Sequence, residues 1–388
     1  MRTDARPTSV SLPDWAAWSP DAAAAPFSVG IEEEAMLLDP VTWAPASRIE
    51  DVLASLSAPV AGLASAETHG SAIELATRPH REVAAAADEL AGLRERLQAD
   101  LRPLGLAAAT AGTHPFATWP DIEISPGARQ QSVYDSMREL ARREPTFALH
   151  VHVAVPGPEE ALRALDALRE DLPVLLALSA NSPFWQGRDS GLASARIPVF
   201  GAFPRIGVPR RFADYRSYVA AIDVLLRCGA IPEPTFLWWD VRLQPRLGTV
   251  EVRIMDAQTR ASDNAPLVAL VQCLVRRGAR GGGRPRAADA PEVIDENRFL
   301  AARDGMRAEL IDLGVERRRP VRDLLAELLD ACAPHAAELG CTAALDAVPS
   351  LADAPGAERQ RSIAAAQPGE TAAERLAGVT AALHAEFA

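Results

Sequence analysis

Residues 27–39 read FSVGIEEEAMLLD. The apolar residues have the look of a β-strand, yet Glu32, Glu33 and Glu34 stand in its middle. Acidic side chains are poor strand formers, and adjacent like charges repel. Strand side chains alternate faces with period two, so Glu32 and Glu34 share one face, with Ile31 and Glu33 on the other. The same division recurs in three further segments. In SAIELAT (71–77), Glu74 opposes Ile73 and Leu75. In ALHVHVAV (148–155), His150 and His152 oppose Leu149, Val151 and Val153. In TVEVRIMD (249–256), Glu251 and Arg253 oppose Val250, Val252 and Ile254. If these strands are neighbours, their polar faces pool into one acidic floor.

Two readings of that floor stay open. One is a solvated sheet face, common in antiparallel sheets. The other is a divalent-metal site. Magnesium prefers carboxylate oxygens and binds beside substrate phosphates. Its charge would offset the repulsion between adjacent carboxylates. Zinc suits the set less well, because the donors are oxygen-rich and include no cysteine.

The rest of the chain bounds the function. It has 388 residues, 48% hydrophobic and 24% charged, enough for a substantial core. The net charge of −12 argues against nucleic acid or an anionic membrane as partner. All 40 basic residues are arginine. A P-loop and a Schiff-base lysine are therefore excluded. Arginine must supply any phosphate-binding charge, and its planar fork suits that task. Cys228, Cys273, Cys332 and Cys341 form no C-x-x-C pair and read as reduced thiols of a cytoplasmic protein. No apolar run approaches the ~18 residues of a membrane span.

Along the chain the pattern is mixed α+β. Residues 1–26 read as a frayed tail, and residues 27–388 as one catalytic domain. REVAAAADELAGLRERLQADLRPLG (81–105) is an amphipathic helix. The arginines at 84–104 and 303–319 read as ordinary helix surface. Residues 159–183 are one helix or two, broken near Pro173. The Gly- and Pro-rich segment 186–212 is a candidate cover for a site. Residues 235–259 form two strands around a turn near Leu247-Gly248, 277–290 a flexible basic linker, and 291–388 mostly helix.

VGIEEEAMLLDP (29–40), LHVHVAVP (149–156), SANSPFWQGRDSGLASAR (179–196), WWDVRLQPRLGTVEVRIMDAQT (238–259) and ENRFLAARDG (296–305) together resemble the type 2 glutamate–cysteine ligase family of carboxylate–amine ligases. The resemblance runs from about residue 27 to 310. It implies a glutamine-synthetase-like fold, with an antiparallel sheet whose polar face is the active site and helices packed behind. It implies Mg²⁺ or Mn²⁺, ATP as co-substrate, glutamate, an amine such as cysteine, and a homodimer. Carried over by position, Glu32, Glu34, Glu67, Glu74, His150 and Glu251 match metal ligands. Arg253 matches the arginine at the nucleotide phosphates, with His150 and Arg242 also at the nucleotide. Arg188 and Arg196 match the substrate-binding loop, and Arg196 joins Arg253 in catalysis. Ala35 and Ala195 stand where the family usually has aromatics, which bears on the shape of the substrate pocket.

A carboxylate and an amine do not condense unaided at neutral pH. An acyl phosphate made from ATP gives the carboxylate a leaving group, and the amine then displaces phosphate. Three functions follow: a glutamate–cysteine ligase, a ligase for another amine, or a binding protein that has lost catalysis.

Overall fold

A computed structural model describes residues 11–143, 145–283, 290–369 and 371–388. The expected strand at 27–39 is its centre. Strand β1 (Val29–Leu38) pairs along one edge with β3 (Ala72–Ala76). Its other edge takes β5 (Ala148–Ala154) and then β4 (Ala107–Ala109). Beyond β5 lie β7 (Thr249–Asp256) and β6 (Val241–Gln244), and β2 (Ala64–Ala66) closes the far edge. The sheet has seven strands, and all these pairings are antiparallel. The antiparallel sheet with helices behind it is the expected α+β architecture.

The apolar faces of β1, β3, β5 and β7 are buried. Val29, Ile31, Ala35, Leu37, Ile73, Leu75, Val151 and Val252 belong to one core. Four helices cover that face: α1 (Val83–Leu101), α2 (Pro158–Leu168), α3 (Leu172–Ser179) and α4 (Asn264–Ala279). Helix α4 is buried along almost its whole length, as expected of a helix apolar all round. Behind it lies α5 (Val321–Leu339), with the hairpin Glu309–Asp312 and Arg317–Pro320 before it. No helix among the described residues is long and apolar enough to cross a membrane. The four cysteines are free thiols, and Cys273, Cys332 and Cys341 are buried.

Four expectations need correcting. Residues 11–26 pack against the body instead of fraying. Ala16 is buried, Trp18 Nε1 donates to the Val155 carbonyl at 2.9 Å, and Trp18 meets Tyr215 edge-on. Two tryptophans make such a segment too apolar to leave in water. Residues 1–10 lie outside the described residues. The basic linker begins later than expected: α4 runs to Ala279, with Arg277 buried and paired to Asp171. Positions 284–289 are likewise outside the description. Arg94, expected on a helix surface, is wholly buried against Glu33. Ala35 faces the core and pairs with Ile73, so a change there acts on the back of the sheet, not on a pocket.

Gly248 shows why the β6–β7 turn needs glycine. Its φ is +66°, and a Cβ there would stand 2.5 Å from the Ala22 Cβ. The hairpin tip thereby closes onto the N-terminal segment.

Candidate active site

Strand register brings the expected polar residues together. Glu32 stands opposite His150, Glu34 opposite Glu74, and Glu251 opposite both His152 and Arg242. Glu67 joins them from the loop between β2 and β3 and lines the same pocket as Glu34. His152, on the same face by its i+2 spacing from His150, is a site residue that the family matching passed over.

Three overlapping sets of donor atoms result, each lying within 4.8 Å. Glu32, His152 and Glu251 form one end. Glu32, Glu74 and His150 form the middle. Glu34, Glu67 and Glu74 form the other end. The two ends differ electrostatically. At the first, burial works against charge on Glu32 and Glu251, yet His152 lies 3.2 Å from Glu32, and Arg242 reaches Glu251 at 2.6 Å. Both carboxyls are held well below their usual range. His152 is pushed up: Glu32 and Glu251 outweigh its burial.

At the other end, burial dominates. It pushes Glu34 up to about 7 against the pull of Arg196. Burial and the neighbouring Glu34 push Glu67 up to about 7. Burial and Glu67 raise Glu74 well above the ordinary value. These carboxylates are crowded together with too little counter-charge. A hard divalent cation would supply what that end lacks, and the oxygen-rich set with two imidazoles fits Mg²⁺ or Mn²⁺.

The arginines fall into three kinds. Arg242 gives Nε and NH2 to Glu251 and NH1 to the Thr235 and Leu237 carbonyls, both at 2.9 Å. It positions Glu251 and has little left for a nucleotide. Arg253 pairs with Glu251 and lies 3.3 Å from His150 Nδ1. It sits at a bulge: the β5–β7 register shifts between Val252 and Met255, and the Arg253 N–H turns to the Asp240 carbonyl. A bulge re-aims a side chain at a sheet's working face. Arg196 donates to the carbonyls of Arg253 and Ile254 and lies 3.7 Å from Asp256. The Nε atoms of Arg196 and Arg253 are both buried with no hydrogen-bond partner among the described residues. Arg188 is exposed, paired in register with Trp185, and does not line the pocket of Arg196 and Arg253.

Two cavities open from the floor. The smaller, about 90 Å³, lies at the Glu34 end under Arg196, Phe200, Phe203, Trp238 and Arg253. The segment 186–212 thus contributes its wall, through the short helix Arg196–Phe200. The larger, about 370 Å³ and mostly apolar, lies at the Glu32 end. Gly30, Ala154 and Thr249 line it from the sheet, and Ala22 and Ala25 from the N-terminal segment.

The model of glutamate–cysteine ligase family 2 matches residues 28–381. The chain belongs to that family. A Rubrobacter xylanophilus protein provisionally named glutamate–cysteine ligase 2-3 is 42% identical over 345 residues, covering 88% of this chain and 94% of its own. A second from that organism, provisionally named glutamate–cysteine ligase 2-1, is 39% identical over 338 residues, covering 87% and 90%. Among solved structures, a Francisella tularensis glutamate–cysteine ligase in complex with AMP superposes with a TM-score of 0.69 at 13% identity, covering 93% of this chain and 88% of that one. A Pasteurella multocida bifunctional glutathione synthetase gives 0.63 at 14% identity, covering 93% and 52%. At those identities the family member shares a fold with both.

Proposed function

We propose that this protein is an ATP-dependent ligase that joins the γ-carboxylate of glutamate to an amine through a γ-glutamyl phosphate. One observation carries the reading: Arg196 and Arg253, each with a buried Nε donor that lacks an acceptor among the described residues, line a pocket that also holds Glu34, Glu67 and His150. Leaving a charged donor unpaired in the interior costs more than the ~1–3 kcal/mol of a neutral one. Such a pair is readily explained if ligand oxygens complete it, and phosphate and carboxylate are the groups that guanidinium forks match. Family membership supports the same reaction class.

Magnesium or manganese at the three donor sets would neutralise charge on the phosphate oxygens. The chain's own residues do the rest. Arg196 and Arg253 orient the carboxylate and the transferring phosphoryl group and hold negative charge as it develops. Arg242 and Gln244 fix Glu251, the latter at 2.7 Å. Phe200, Phe203 and Trp238 exclude bulk water, which would otherwise hydrolyse the acyl phosphate. The apolar cavity at the Glu32 end suits the flat base of the nucleotide. Cysteine, the amine in the family's name, is the first acceptor to test.

The experiment is phosphate release from Mg-ATP with glutamate and a panel of amines, with the γ-glutamyl product identified by mass spectrometry. Glu34→Gln should lower turnover about a hundredfold or more while circular dichroism stays unchanged. Nucleotide binding without phosphate release under any condition would replace the ligase with a non-catalytic binding protein.

A further inference from the structure

The catalytic pocket has a neighbour. Met137, the last residue of the helix Ala128–Met137, lines both that pocket and a second cavity of about 580 Å³. Trp119, Trp185, Arg138 and Arg143 line the second cavity. Trp119 is 47% exposed, a large apolar surface left to water. The Trp185 Nε1–H is buried with no hydrogen-bond partner among the described residues. Arg188 pairs in register with Trp185, and directly opposed residues on antiparallel strands share a face. Glu139, the acidic residue of the wall, is held by the Tyr134 hydroxyl at 2.9 Å.

This lining is poorly matched to cysteine. A single thiol would cover little of two indoles in a cavity of that size. Indole faces take aromatic rings in offset or edge-to-face contact. Guanidinium groups at a rim take a carboxylate. A buried indole N–H calls for an acceptor oxygen. We propose that the amine substrate is an amino acid with an aromatic side chain. Its ring lies against Trp119 and Trp185, its carboxylate meets the arginine rim, and its amine passes Met137 into the catalytic pocket. The inference rests on the ligase reading and names its acceptor. In the step it serves, the amine lone pair attacks the γ-carbonyl carbon of the γ-glutamyl phosphate. The C–N bond forms, the C–O bond to phosphorus's oxygen breaks, and phosphate leaves with that electron pair and takes up the amine proton.

Hydroxylamine separates this inference from the reading beneath it, because so small a nucleophile needs no acceptor cavity. The full chain is given Mg-ATP and glutamate with hydroxylamine, cysteine, alanine, phenylalanine or tryptophan. The expected result is hydroxamate with hydroxylamine, and kcat/KM for phenylalanine or tryptophan about tenfold or more above that for cysteine. Trp119→Ala should raise KM for the aromatic amino acid about tenfold more than it raises KM for glutamate, and Trp119→Phe should restore most of the loss. Hydroxamate formation together with a preference for cysteine or alanine overturns the acceptor and leaves the ligase standing. No hydroxamate and no amide with any amine overturns both.

Discussion

Glu33 is the residue that the strand pattern assigned to a face without explaining. It points into the core, between two candidate metal ligands, and its partner is Arg94 from α1. Arg94 Nε reaches Glu33 at 2.6 Å, and its other nitrogens reach the carbonyls of Gln258, Thr259 and Phe387. Asn264 Nδ2 adds a contact at 3.1 Å. A buried charge stripped of its partner is costly, so Arg94→Met should destabilise the protein by about 3–5 kcal/mol in urea unfolding. Glu33→Leu with Arg94→Met should recover most of that loss, since no charge then remains unpaired. His114 makes a separate prediction. Its Nε2 meets the Trp43 carbonyl at 2.9 Å, and its Nδ1 accepts from the Phe116 and Ala117 N–H groups. Burial pushes it down from 6.5 to about 4. Between those values the unfolded chain binds the proton and the folded chain does not. Stability from this group is therefore complete above 6.5 and falls as pH drops toward 4, by on the order of 3 kcal/mol. The cost of His114→Asn should shrink over that same window when urea midpoints are compared at a series of pH values.

At the scale of elements, period-two alternation made the floor legible. Glu32, Glu34, Glu74, His150, Glu251 and Arg253 needed only the assumption that four strands are neighbours. Alternation placed Arg253 on the floor but does not show the bulge beside it, where the β5–β7 register shifts between Val252 and Met255. Nor does it show a partner 61 residues away, which is why Arg94 read as surface. Arg242, placed at the nucleotide by resemblance, spends its donors on Glu251, Thr235 and Leu237 close by in the chain. The N-terminal segment was misread because its composition, rich in Ala and Pro, outweighed its tryptophans. Gly30 offers a test of the apolar cavity. It lies on the working face of β1, and a Cβ there would meet only the His152 Cβ, at 3.9 Å. Its backbone is not in the left-handed region. Gly30→Leu should fold normally, fill the cavity and raise KM for ATP about tenfold, with KM for glutamate little changed. Equal changes in both constants would place the nucleotide base elsewhere.

For the whole molecule, a cation and nucleotide that bind only the folded state must stabilise it. Mg-ATP at roughly 100 times its Kd should add about 2.7 kcal/mol, read as a rise in Tm. A chelator should remove the magnesium-dependent part, and Glu34→Gln should lack most of it. The α+β class and the antiparallel sheet were legible in the sequence because each strand carries its own face pattern. The packing of the C-terminal helices was not, for nothing in a local pattern says which face of a helix meets which neighbour. One such meeting has a consequence during synthesis. Arg94 and the Phe387 carbonyl that it binds are 293 residues apart. At ribosomal speeds of ~5–20 residues per second, roughly 15–60 s separate their emergence. Through that interval Glu33 and Arg94 lack part of the shell that makes their burial tolerable, so the strand bearing the working carboxylates is made first and secured last.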